Sequence, residues 1–179
     1  MLEFIAGVFG SSNYWFIVLR STAPILLVTL GAVITEQAGI KNMALEGSML
    51  WAALAGVIAS AATGDVWVGL AFGIMASIAV SWVLWFFAIK LEANAVLCGI
   101  ALNLIAHGGT VFVLFSLTGD KGISSSLSSK TLPFIQVPLL KDIPWLGKVL
   151  SGQNLVVYLS IAAVIFVHKI GRASCRERV

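Results

Sequence analysis

A chain of 179 residues carries its few chemically active side chains in two places. Gly99, Asn103 and His107 recur at a spacing of four, with Thr110 one further turn on. That spacing sets them on one face of a helix. The second place is Glu46, which is followed by 18 residues without a charge. A carboxylate, an amide and an imidazole can exchange hydrogen bonds or hold a polar solute. They do not compose a catalytic set. There is no Cys/His metal spacing, no glycine-rich phosphate loop and no paired acid in a plausible cleft. Cys98 and His107, nine positions apart, are no ligand pair by themselves. No catalytic residue, metal or cofactor is therefore expected.

The setting of these groups is apolar. Of the residues, 59% are hydrophobic and 11% charged, against roughly a quarter charged in soluble domains. Mean hydropathy is +1.01. A water-soluble domain of this size needs many more polar surface positions. The composition thus argues against a soluble enzyme, a nucleic-acid binder and a disordered tail. Intervals free of Asp, Glu, Lys and Arg run over 4–19, 21–35, 47–64, 66–89, 93–119 and 149–168. A bilayer core needs about 20 mostly apolar residues in helical form, and backbone groups in hydrocarbon must be satisfied within the segment. The expectation is an all-α polytopic membrane protein with five helices, over about 14–35, 44–63, 66–90, 94–118 and from 153 onward. Arg20 can reach the interface from the first helix, and Tyr14 and Trp15 suit the headgroup level.

Outside these spans, residues 1–13 read as an N-terminal surface segment without a basic signal-peptide region. Residues 14–169 read as the membrane domain. Within it, 120–153 form one long connection with a serine cluster and Pro133, Pro138 and Pro144, read as a flap lying on the interface. Residues 170–179 turn abruptly polar and back-translate into a widely used short-read sequencing adaptor. They read as a read-through scar to be excluded from the fold, on an N-terminal fragment of a longer protein. Without them Lys+Arg falls from 11 to 8 and Asp+Glu from 8 to 7, so the net charge drops from +3 to +1. No argument about acidic partners survives that change, and Cys98 becomes the sole cysteine.

Small residues at four-residue spacing mark contact faces between helices in lipid. Gly69, Gly73, Ser77 and Ser81 form one such row, and Ala52, Gly56 and Ser60 another. Asn103 and His107 cannot face lipid without leaving polar groups unpaired. Two readings stand for them: interhelical hydrogen bonds that hold the bundle, or the lining of a wet pathway. Glu46 likewise reads either as a helix-start carboxylate at the interface or as a group lying deeper beside a cavity. Gly39 and Gly47 flank it, so the backbone can bend there. Glu46, Asn103 and His107, with Asn42 in the preceding connection, are the candidate pathway residues.

The stretch from Glu36 to Met49, EQAGIKNMALEGSM, resembles the signature ERAGVVNIGLEGMM of the permease subunits of binding-protein-dependent ATP-binding-cassette importers. That family carries simple sugars, nucleosides and branched-chain amino acids. Cys98 to Ala106 is similar to its SGIALNLLA segment, Asp142 to Gly147 to DIPVLG, and Gly152-Gln153-Asn154 with Tyr158 to GQNPLVYL. The last three fit the nucleoside-type subgroup best. Lys41 and Met43-Ala44 depart from the pattern. The resemblance implies a bacterial inner-membrane, multi-pass subunit that is no enzyme itself. Its implied partners are an ATPase subunit, a second permease subunit, an extracytoplasmic solute-binding protein or lipoprotein, a small-molecule solute and membrane lipid, with no nucleic acid. The implied cargo is a nucleoside, with a simple sugar or branched-chain amino acid as the alternative within the family. An ion-coupled secondary transporter using Glu46 or His107 is the alternative outside it. Counting lysines puts the long loop inside; family topology puts it outside, with Lys41 and Lys90 inside and a cytosolic coupling helix after the fifth span.

Overall fold

The charge-free runs are long enough to satisfy their own backbone as helices, and they do so. A computed structural model describes residues 10–39, 41–119, 127–135 and 152–176. Its elements in order are α1 (Ser12–Gln37), α2 (Leu45–Thr63), α3 (Val66–Trp85) continued by a π-helical turn (Phe86–Lys90), α4 (Ala95–Thr118), β1 (Phe134–Ile135), β2 (Gln153–Asn154) and α5 (Leu155–Arg176). The chain is an all-α polytopic membrane protein. α1, α2, α3 with its π turn, and α4 are each long and apolar enough to cross a bilayer; the apolar part of α5, Leu155–Lys169, is shorter.

Two departures from the sequence reading are local. α1 starts at Ser12, so the last residues of the expected surface segment are already helical. The third span ends in a wide turn, with Leu91 N–H donating to the Phe86 carbonyl at 3.2 Å. Residues 1–9, 120–126 and 136–151 lie outside the described residues, and with them most of the expected flap.

The chain divides into two units: Met1–Gly31 with Leu132–Val179, and Ala32–Thr131. In the first, β1 pairs antiparallel with β2, Phe134 opposite Asn154 and Ile135 opposite Gln153. Gln153 is fully buried, and its Nε2 donates to the Phe16 carbonyl of α1 at 3.0 Å. This strand pair was not expected. Two-residue strands carry no periodicity that a sequence can display.

The second unit holds α2, α3 and α4. α2 and α3 form a hairpin closed by two residues. Gly64 takes the left-handed conformation (φ 69°) and donates to the Ser60 carbonyl. Asp65 then caps α3 through its side chain, which accepts from Trp67 N–H at 3.3 Å. The two helices meet through small residues. A Cβ on Gly69 would lie 2.7 Å from the Gly56 carbonyl oxygen and 2.8 Å from Ser60 Cβ, and one on Gly73 would lie 3.1 Å from the Ala52 oxygen. Gly69, Gly73 and Gly56 are thus at the contact, whereas Ser77 is half-buried and Ser81 exposed. At the far end, Lys130 N–H approaches Ser60 Oγ at 3.4 Å, so the start of the long connection returns to the end of α2.

Burial is inverted relative to a water-soluble domain. Among the described residues, the buried positions of this unit are small or polar: Ala44, Gly47, Ser60, Gly69, Gly99, Ala106 and Thr110, with Leu84 the large exception. Leu104 and Phe112 are both 70% exposed and Trp82 65%. Large apolar side chains outward and small residues inward is the packing expected of helices whose solvent is lipid.

Gly69→Val should therefore force α2 and α3 apart and cost about 1–3 kcal/mol. Gly108→Ala, where an added Cβ meets nothing within 4 Å, should leave stability unchanged or slightly raised. Thermal unfolding of the two variants in detergent, compared with the parent, checks the contrast.

Candidate functional site

The site is assembled around the start of α2, a helix with no cap of its own. After α1 the chain turns at Gly39 (φ 84°) and runs without helix from Lys41 to Ala44. Ala44 occupies the capping position and its side chain offers no acceptor. The first N–H groups of any helix lack intrahelical partners, so others must serve. Asn42 Oδ1 accepts from Ala44 N–H at 3.0 Å. Asn103, on α4, serves one more: its Oδ1 accepts from Gly47 N–H at 2.8 Å, while its Nδ2 donates to the Met43 carbonyl at 2.8 Å. Asn103 is thus a helix cap provided by another helix.

Glycines permit this approach. A Cβ on Gly99 would lie 2.7 Å from Met43 Cβ and 3.1 Å from Ala44 N, and one on Gly47 would lie 2.8 Å from Asn103 Oδ1. The contacts Met43–Gly99 and Gly47–Asn103 advance together, so α2 and α4 run parallel. α4 begins at Ala95, and Asn103 lies about 12 Å along it at 1.5 Å per residue. α2 therefore begins about two turns inside the layer that α4 spans. Its register with α3 agrees. Gly56 lies over Gly69 and Ala52 over Gly73, which sets Leu45 roughly level with Val80; the chain from there to Lys90 runs about 15 Å further. The non-helical stretch 41–44 lies beside the opening turns of α4. Irregular backbone at such depth is tolerated only where protein or water covers it.

One turn beyond Asn103, His107 Nε2 lies 3.1 Å from Glu46 Oε1. The His107 and Glu46 side chains are 57% and 60% exposed. His107 stands about 18 Å along a helix of about 36 Å, close to half-way. A carboxylate and an imidazole at that depth cannot face hydrocarbon, so this open face meets water or further protein. Glu46 Oε2 and His107 Nδ1 have no partner among the described residues.

The structure thus brings Glu46, Asn103 and His107 together. Asn42 joins them only through its bond to the helix start. Thr110 does not extend the row, because its Oγ1 bonds back to the Ala106 carbonyl of its own helix at 2.6 Å. Cys98 is a free, half-buried thiol. Sequence reasoning missed Met43, whose backbone carbonyl carries half of the Asn103 clasp, and Trp51, whose ring would lie 3.0 Å from a Cβ on Gly109. The signal for both was present in the glycines of α4, Gly99 and Gly109, which mark close approach.

A family model described as branched-chain amino acid transport system / permease component matches residues 14–174. The chain belongs to this permease family. It is a multi-pass integral protein of the cell membrane. A Haloferax volcanii protein named as a glucose ABC transporter permease, TsgC13, is 30% identical over 167 residues, covering 91% of this chain and 47% of the relative. The Bacillus subtilis guanosine ABC transporter permease protein NupQ is 31% identical over 150 residues, covering 79% of this chain and 45% of the relative. The Lactococcus lactis nucleoside ABC transporter permease protein NupC is 29% identical over 153 residues, covering 80% and 47%. The chain spans about half the length of the curated relatives it matches. No solved structure matches it.

In this permease chain, Asn103→Leu should strand the buried Gly47 N–H, at about 1–3 kcal/mol, and leave the more exposed Met43 carbonyl without its donor. Amide exchange at Gly47 should speed up by about tenfold or more, while exchange in the middle of α3 should hold. Equal acceleration throughout the unit would mean that Asn103 supports global packing and not the helix start.

Proposed function

We propose that the chain forms part of the translocation pathway of an ATP-binding-cassette importer and that the solute is a nucleoside. ATP is hydrolysed on a separate ATPase subunit, a second permease subunit completes the pore, and an extracytoplasmic solute-binding protein delivers the solute. ATP binding and hydrolysis shift the permease between outward-facing and inward-facing states. The solute forms no covalent bond to this chain.

The observation that carries this reading is the Glu46–His107 pair, open on one face half-way along α4. Polar groups exposed at that depth mark solute or ion routes in membrane proteins. Asn103 and Asn42 have a different part: their side chains hold the start of α2, which fixes where Glu46 meets His107. Two of the relatives carry nucleoside or guanosine in their names, and the Asp142–Gly147 and Gly152–Asn154 motifs resemble the nucleoside-type subgroup. A simple sugar is the second reading, favoured by the relative named for glucose, which matches the largest share of the chain.

The test is uptake of radiolabelled nucleoside by proteoliposomes holding the full-length permease, its ATPase and its binding protein. Uptake should require ATP, and His107→Ala should lower it about tenfold or more with membrane insertion unchanged. Uptake driven by an imposed ion gradient without ATP would overturn the importer reading. ATP-dependent uptake of glucose but of no nucleoside would overturn the solute.

A further inference from the structure

A proline inside a helix gives no N–H to the ladder, and its ring crowds the carbonyl four positions back. α1 carries one at its middle, Pro24. The helix continues through it, with one bond fewer than its length would allow. Three threonine hydroxyls of α1 turn back on their own backbone. Thr22 Oγ1 donates to the Val18 carbonyl at 2.8 Å, Thr29 Oγ1 to the Leu26 carbonyl at 2.9 Å and Thr35 Oγ1 to the Ala32 carbonyl at 2.9 Å. Such back-bonding softens and bends helices. Gly31, two turns beyond Pro24, favours the helix less than alanine would. A Cβ there would meet nothing within 4 Å, so close packing among the described residues does not call for the glycine.

Support is uneven along α1. Near its start the Phe16 carbonyl accepts from Gln153 Nε2 at 3.0 Å, and Ala23 is buried. Residues 24–37 include no buried position. The boundary between the two units of the chain falls in this same stretch, between Gly31 and Ala32. The last turns of α1 thus belong with α2, to which they lead through the turn at Gly39. We infer that Pro24–Gly31 is a hinge in α1, and that the transport cycle requires it to bend. This rests on the importer reading above. Hinges are a few residues that absorb a change in backbone angles. In hydrocarbon each helix bond opened there must be met by another group, a part that threonine hydroxyls can take; Thr22 and Thr29 stand at the hinge in that role. A change of bend is passed along the chain to the start of α2, and so to Glu46.

The test follows uptake of radiolabelled adenosine and glucose by proteoliposomes holding the full-length permease, its ATPase and its binding protein. Gly31→Ala and Pro24→Ala are compared with the parent and with Gly108→Ala, where an added Cβ in α4 also meets nothing within 4 Å. Gly31→Ala is expected to unfold no earlier than the parent and to assemble as well. It should slow amide exchange over residues 25–31, and lower uptake, each by about threefold, the factor by which a helix favours alanine over glycine. Pro24→Ala restores a backbone donor and should lower uptake about tenfold; if it does not fold, Gly31→Ala decides alone. Gly108→Ala should transport like the parent. A purely structural role would move uptake only together with stability or assembly. Parent-level uptake or unchanged exchange in Gly31→Ala would overturn the inference. So would a loss of uptake that comes with earlier unfolding or a broken complex, or an equal loss in Gly108→Ala. ATP-driven uptake by the parent beside any of those results would leave the importer reading standing. Uptake that needs no ATP but still falls in a stable Gly31→Ala would remove the importer reading and leave the hinge.

Discussion

A backbone N–H that meets no acceptor in hydrocarbon costs several kcal/mol, and α2 starts below the level at which α4 starts. A helix beginning at a membrane surface can turn its first N–H groups to water. α2 begins about two turns deep beside α4, with an alanine at the capping position. Everything around it follows from that need. Asn103 faces inward because Gly47 N–H and the Met43 carbonyl require it. Gly99 has no side chain because the Met43 backbone occupies that space. Gly39 turns the chain so that the stretch before α2 can run alongside α4.

Close packing by small residues makes the arrangement rigid enough to matter. Lipid provides no hydrophobic drive between apolar helices, so contact depends on how near two backbones come. Gly56 against Gly69 and Ala52 against Gly73 bring α2 to α3; Gly47 and Gly99 bring the start of α2 to α4. α2 is thus held on two sides through positions where a methyl group would intrude. The large side chains that stabilise a soluble core point outward instead, and their burial falls to the bilayer.

Much of this was legible in the residues. Charge-free intervals locate helices because charge in a span is costly, and α2, α3 and α4 begin and end within a residue or two of where those intervals placed them, if the π turn is counted with α3. The spacing of four gave the shared face of Asn103 and His107. Depth was not legible, because an interval gives the length of a span and not its level against its neighbours. For that reason Glu46 reads equally well from sequence as an interfacial carboxylate or as a deep one. The partner of Asn103 was hidden too, being main chain, and backbone carbonyls leave no trace in residue type. The Phe134–Asn154 pairing joins segments separated by a long connection and is too short to show alternation.

Asn103 and His107 sit one turn apart on the same face, yet their chemistry is divided. The amide is tied to the main chain through both of its polar atoms, each bonded at 2.8 Å. The imidazole and its carboxylate satisfy each other through one atom each and leave the others open. A bundle built only for stability would gain little from a carboxylate–imidazole contact that is more than half exposed, since such pairs contribute little when solvated and are costly to bury. The tied amide explains how the helix start is held. The open pair beside it is what packing alone leaves unexplained, and the proposed pathway role rests on it.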